Sequence, residues 1–315
     1  MTRTRLAAAA VAAAITITAT GATAQGLDLS GYARFGLQFT ENGTGGWNDG
    51  EVAPTTRFRL NLRARTQTDL GARLEVRARA QASNGQTVAF NAPRFTVSGG
   101  GLSVQIGNIS GAFADTPGLE DIIGLTGLSA PDKAARTRGR EAWDDYDSRG
   151  AGAGANNGVQ AGFAAGPFSA ALSYSDRNPT AADPRRRRVG GHVAWSDAGH
   201  TVALGFQDSD LAVEDYVLAT ASAQFDTIRV TAQIAGNRGV RKGVLQGSLQ
   251  ATPEMTLNAF LSNESGNPAA SRQWNGTGGG VGIGYALGGG AELKAGVVHR
   301  SDSTVLADAG VIFRF

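Results

Sequence analysis

From Arg57 to Gln67 the chain reads RFRLNLRARTQ and from Arg73 to Gln81 RLEVRARAQ, so charged and amide side chains alternate strictly with Phe, Leu, Val and Ala. A period of two marks a β-strand, whose successive side chains point to opposite faces. One face gathers Arg57, Arg59, Arg63, Arg65, Arg73, Arg77 and Arg79. So many like charges side by side imply a lined, water-filled interior, with the apolar face turned to lipid. A closed β-barrel in a membrane meets that requirement, because every backbone amide pairs within the sheet while alternate side chains face lipid and lumen.

The N-terminus agrees. Arg3 and Arg5 precede an apolar run from Leu6 to Ile17 and the small-residue end Ala22-Thr23-Ala24, the pattern of a secretory signal peptide over residues 1–24. No later stretch approaches the roughly 20 apolar residues of a membrane helix. Residues 25–315 therefore read as one exported domain. The chain has no Cys, which excludes a disulfide framework, a thiolate metal site and a cysteine nucleophile. Its 29 basic and 27 acidic residues nearly balance, so net charge implies no nucleic-acid partner.

Sixteen alternating segments fit between Leu27 and Phe315, broken at clusters of Gly, Pro, Asn and Asp; ASAQF at Ala221 to Phe225 and IRVTAQI at Ile228 to Ile234 are the clearest. The expected fold is all-β, a sixteen-stranded antiparallel transmembrane β-barrel. Connections alternate between tight turns, such as Asp226-Thr227, and longer loops, such as Glu41 to Pro54 and Asn237 to Lys242. Short periplasmic turns and longer external loops give that asymmetry, and an even strand count returns both termini to one side. The lipid face is expected at Phe58, Leu60, Leu62, Leu74, Val76, Val97, Val202, Leu204, Ile228, Val230, Ile234, Val311 and Phe313, where a mid-depth charge would cost about 2 to 4 kcal/mol. Trp195, Phe206, Phe225, Tyr285 and Phe315 have outward parity near strand ends, as an aromatic girdle requires.

The segment Ile109 to Asn157 is far longer than any other connection and carries Asp115, Glu120, Asp121, Asp144, Asp145 and Asp147. Loops of this length are functional or disordered. Within it LEDIIGLTGL spaces its apolar residues helically for about two turns, which favours a folded element. The cluster Asp144, Asp145 and Asp147 is either solvated or a structural calcium site, since calcium favours such oxygen groups. No other cofactor is indicated. Arg185 to Arg188, RRRR, reads as an external cationic run for lipopolysaccharide or anionic solutes.

The opening LDLSGYARFGL, the long acidic loop after VQIGNISGAF, the GYALGGGAELKAGV hairpin and the terminal FRF together resemble the general porins of Gram-negative bacteria, most closely the alphaproteobacterial type. The resemblance spans the mature chain. It implies a homotrimer of sixteen-stranded barrels in the outer membrane, in contact with lipid and lipopolysaccharide, whose third loop folds inward and narrows a pore for ions and small hydrophilic solutes. It also implies a basic wall at Arg34, Arg57, Arg59, Arg63, Arg65, Arg77, Arg79 and Arg94 facing acids Asp115, Glu120 and Asp121. The PEFGG-type motif of the enteric loop is absent, so which acids reach the constriction stays open.

Opposed basic and acidic arrays in a low-dielectric barrel produce a transverse field that favours hydrophilic, dipolar solutes. The alternative is a substrate-specific channel with a lumen binding site, for which Trp143 and Tyr146 are the local hint. No G-x-S-x-G elbow, H-E-x-x-H pair or Walker loop supports an enzyme. Of the histidines, His192 has lumen parity and His299 outward parity.

Overall fold

The computed structural model describes residues 26–42, 50–85, 87–120, 122–130, 134, 136–137, 140–141, 157–177, 186–210, 215–266, 275–301 and 303–315. The leader expected at 1–24 lies outside them, as do Asp121, Trp143, Tyr146 and the acidic cluster Asp144, Asp145 and Asp147.

Sixteen strands close on themselves. They are β1 (Gly26–Glu41), β2 (Glu51–Gln67), β3 (Arg73–Ser83), β4 (Ala89–Phe90 continued as Arg94–Gly99), β5 (Leu102–Gly107), β6 (Asn157–Ala165), β7 (Phe168–Arg177) and β8 (Arg186–Asp197). The second half comprises β9 (His200–Ser209), β10 (Tyr216–Phe225), β11 (Ile228–Asn237), β12 (Val240–Gln250), β13 (Met255–Ser265), β14 (Gly276–Gly288), β15 (Ala291–His299) and β16 (Val305–Arg314). Every neighbour pair is antiparallel and consecutive, and β1 pairs β16 from Tyr32↔Arg314 to Glu41↔Val305, which completes the ring. Closure leaves no unpaired edge for lipid to meet. A two-residue ribbon, Arg136–Thr137 with Arg140–Glu141, stands apart in the long loop.

The faces fall where the alternation puts them. Leu37, Leu102, Ile106, Val202, Leu204 and Ile234 are exposed on the outside, and Trp195, Phe206, Phe225, Tyr285 and Phe315 are partly exposed at strand ends. The C-terminal aromatic is held by two main-chain bonds, Gly31 N to Phe315 O at 2.8 Å and Phe315 N to Gly31 O at 3.2 Å, and stacks on Phe58 at 6.3 Å. Pro54 sits within β2, opposite Leu37 on β1. It is tolerated because the ladder with β3 stops at Ser83, opposite Arg57, and Asn84 then bonds Thr56, so Pro54 falls beyond that pairing. Asn91, Ala92 and Pro93 interrupt β4, since proline cannot donate to the ladder.

Three expectations are corrected. Asn237 to Lys242 is no long loop: β11 and β12 meet through Arg238 and Gly239, both at positive φ (42° and 91°) as a two-residue hairpin requires. In LEDIIGLTGL the described residues Ile122 to Leu128 form turns rather than helix, because Gly124 and Gly127 hold φ of 76° and 87°, as Gly118 before it does at 88°. The RRRR run is no uniform external patch either. β8 already includes Arg186 to Arg188, and strand parity turns Arg187 outward and Arg188 inward, where it is 1% exposed.

Candidate functional site

The described first part of the third long connection, residues 109–120 and 122–130, lies inside the barrel. From Ile109 to Thr126 it follows the inner wall in strand order, tied at each step to a side chain of inward parity. Ser173 on β7 accepts from Ala112 N at 2.9 Å, and His192 on β8 donates through Nδ1 to Ala112 O at 2.6 Å. Thr220 on β10 donates to Pro117 O at 2.6 Å, Gln233 on β11 to Gly118 O at 2.7 Å, and Gln246 on β12 to Glu120 O at 3.2 Å. At the far end Asp308 on β16 accepts three bonds, from Leu125 N at 2.8 Å, Thr126 N at 2.7 Å and Thr126 Oγ1 at 2.6 Å. Arg34 on β1 donates to Leu125 O at 3.0 Å. The loop then returns, and Ala134 N donates to Gln233 Oε1 at 3.1 Å.

Two kinds of residue let the loop lie so close. The first is apolar: Phe113, Leu119, Ile123 and Leu128 pack against Tyr216, Leu218, Val244, Phe260 and Val298, a hydrophobic cluster inside a barrel whose interior is otherwise polar. Phe113 and Tyr216 stack at 5.5 Å. The second is glycine. A Cβ on Gly296 would lie 2.8 Å from the Gly124 backbone, and one on Gly36 or Gly310 would lie 2.7 Å from Leu125 Cδ2. Beneath the loop, Lys242 and Glu264, opposite each other on β12 and β13, form an ion pair at 3.3 Å with side chains 1% and 0% exposed.

The predicted basic residues, apart from Arg34, which is itself a tie to Leu125 O, lie on strands that these ties skip. Arg34 on β1, Arg57, Arg59, Arg63 and Arg65 on β2, Arg77 and Arg79 on β3 and Arg94 on β4 share inward parity and are partly exposed to the lumen. Pairing opposes like charges directly: Arg34↔Arg57, Arg63↔Arg77 and Arg77↔Arg94. Such pairs destabilise a sheet. Toward the short-turn end carboxylates offset them, with Glu75 meeting Arg63 at 3.4 Å and Arg65 at 3.1 Å, and Asp28 meeting Arg65 at 2.9 Å. Higher up, the acceptors are neutral: Ser83 for Arg57 Nε at 3.0 Å and Gln81 for Arg59 Nε at 2.7 Å. Asn61 accepts from Arg79 Nε at 3.2 Å.

Of the predicted acids, Asp115 is exposed, accepts from Gln160 Nε2 at 2.8 Å and lies near enough to Arg94 to interact with it electrostatically. Glu120 is exposed on the loop, anchored through its carbonyl. Sequence reasoning missed Asp308, Glu75 and Asp28 as lumen carboxylates, together with the glycine seat. Their inward parity was readable, but their partners were not. Among the described residues no group of three His, Asp or Glu is arranged to hold a metal ion.

A closed barrel with an inward loop on one side and a row of guanidiniums on the other defines a membrane pore. A family model described as Gram-negative porin matches residues 7–310. The chain belongs to that family, and is an outer-membrane pore of the general type. A curated protein named Porin, from Fuscovulum blasticum, is 27% identical over 308 residues, covering 92% of this chain and 100% of its own length. Solved structures of engineered variants of Rhodopseudomonas blastica porin share the fold, with a TM-score of 0.75, 24% identity and coverage of 92% and 100%. Another variant gives a TM-score of 0.72 at 23% identity.

Proposed function

We propose that ions and small hydrophilic solutes cross between the loop and the arginine wall, in a transverse field set by Arg34, Arg57, Arg59, Arg63, Arg65, Arg77, Arg79 and Arg94 on one side and Asp115 and Glu120 on the other. The observation that carries this reading is the division of the inner wall: the loop is tied from β7 through β16 to Arg34 on β1, and the other seven wall guanidiniums stand on β2 to β4. Fixed charges on opposite sides of a water-filled, low-dielectric passage orient dipolar solutes and draw ions to one wall or the other. The eight wall arginines exceed Asp28, Glu75, Asp115 and Glu120, so the reading includes a preference for anions. Passage is passive and involves no covalent step. The lumen histidine, His192, is engaged in holding the loop. We further infer a homotrimer embedded in lipid and lipopolysaccharide, on the family resemblance of the sequence.

Conductance of the purified protein in a planar bilayer under a KCl gradient tests the whole reading. Nearly linear openings in groups of three, with a reversal potential on the anion side, are expected. A reversal potential on the cation side would overturn the charge assignment, and single isolated steps the trimer.

A further inference from the structure

Within the wall one patch differs from the rest. Tyr32 and Arg34 on β1 stand opposite Arg59 and Arg57 on β2, so four inward side chains form a two-by-two array. The Arg59 guanidinium lies over the Tyr32 ring, 5.4 Å from its centroid, and Arg57 is near enough to act electrostatically on the Tyr32 hydroxyl. Arg34 donates to a main-chain carbonyl, Leu125 O, and its buried Nε has no acceptor. Among the described residues neither Arg34 nor Arg57 forms an ion pair. Arg63 and Arg65, farther down the same face, already hold Glu75 and Asp28.

We propose that Arg34, Arg57 and Arg59, gathered round Tyr32, form a binding station for multivalent oxyanions, solutes carrying two or more carboxylate or phosphate groups. This rests on the reading of the lumen as an open, anion-preferring pore and adds to it a saturable site. The physical grounds are threefold. Guanidiniums present up to five donors in a fork that matches carboxylate and phosphate oxygens, so two neighbouring ones recognise a dianion better than two chlorides. The Nε bonds to Ser83 and Gln81, with the aromatic face under Arg59, fix the side chains in advance, so less rotamer freedom is lost on binding. Finally, Arg34 and Arg57 are directly opposed like charges, which costs stability even with Asp308 acting on Arg34, and departures of that kind concentrate at functional sites. The patch lies at mid-length of β1 and β2, nearer the long-loop end than Arg63 and Arg65, so a solute entering from outside meets it before those two.

The test is block of KCl current by inorganic pyrophosphate added to the external side of the full-length protein in a planar bilayer. Block that saturates, beyond the change an equal ionic strength of KCl produces, is expected. In the variant with Arg57→Gln and Arg59→Gln the half-blocking concentration should rise about tenfold or more, the loss of at least one charge-assisted contact. Arg229→Gln, which removes an inward guanidinium from the far wall, should leave it within about twofold. A linear, non-saturating response in the unsubstituted protein, or equal block in the double variant, would overturn the station while leaving the pore reading intact. Absence of any chloride current would instead remove the pore reading on which the station rests.

Discussion

The two sides of the lumen use opposite solutions to the same problem of filling a barrel. From β1 to β4 the inward positions carry long guanidiniums that remain partly exposed, opposed to one another and anchored mainly by neutral neighbours. From β7 to β16 many of them carry Ser, Thr, Gln and Gly, those under the loop are buried, and the charges there, Arg188, Lys242, Glu264 and Asp308, are buried as well. The difference separates what holds the passage in shape from what acts on solutes. Polar groups on the far side are satisfied by the loop backbone, so their loss is a loss of structure. Guanidiniums on the near side face water, so their loss should change the field and leave the fold.

If that division is correct, the largest stability effect lies under the loop, at the Lys242 and Glu264 pair. Lys242→Met should destabilise by about 3 to 5 kcal/mol, because it strands a fully buried carboxylate, whereas Lys242→Met combined with Glu264→Met should restore most of the loss. Urea unfolding in detergent micelles would measure both, and equal losses in single and double variants would argue against a tightly coupled pair. Asp308→Ala comes next. It leaves three loop donors without their acceptor, at roughly 3 kcal/mol, yet it touches no ladder bond of the ring. The barrel should fold, while the loop tip detaches: larger, noisier single-channel conductance and new protease cleavage between Gly118 and Thr126 are the expected readouts. A conductance unchanged from the parent would contradict the role of this carboxylate as the far anchor.

A smaller effect follows at Gly296. Its Cα faces the backbone of Gly124, so Gly296→Val must push the loop tip off the wall, at about 1 to 3 kcal/mol. The same substitution at Gly247, on the outward face of β12 where an added Cβ meets nothing within 4 Å, should have little effect on conductance. The contrast tests whether the effect belongs to the glycine seat under the loop and not to any glycine of the strands.

The sequence made the ring legible and the seat illegible, for a physical reason. Alternation is a local signal, and closure forces it on every strand, so all sixteen segments appear in the chain at close to their final positions. The arginines of the wall were readable for the same reason: parity alone places them inside. The loop follows a different rule. Gly282, Gly296 and Gly310 look like turn formers, and LEDIIGLTGL looks like a short helix, because the partners that explain them lie on strands far away in the chain. Asp308 is 182 residues from Thr126. A carboxylate within ADAGVIFRF gives no local sign that its partners are loop amides. The two-residue turn at Arg238 and Gly239 was hidden differently, since polar residues continue the alternation where an apolar pattern had seemed to end.

The finest distinction between the two sides concerns the pair that spans them. Arg94 stands on the guanidinium wall, Asp115 on the loop, and the charges interact across the gap without forming an ion pair. They share no hydrogen bond or ion-pair contact, so the attraction is weakly felt in folding. Arg94→Gln and Asp115→Asn should each change stability by less than about 1 kcal/mol, the range of exposed charge pairs. Their effects on transport should nonetheless be opposite in sign. Arg94→Gln removes positive charge from the near side and should move the KCl reversal potential toward cation preference; Asp115→Asn should move it toward anions, and the combined variant should lie close to the parent. At salt high enough to shorten the Debye length to about 3 Å, both displacements should collapse, because each acts through water and not through contact. Displacements of the same sign, or ones that persist in 1 M salt, would mean that the substitutions act by reshaping the passage. In that case Asp115 belongs with the structural side, where Gln160 holds it, and the field across the lumen is set by other acids of the loop.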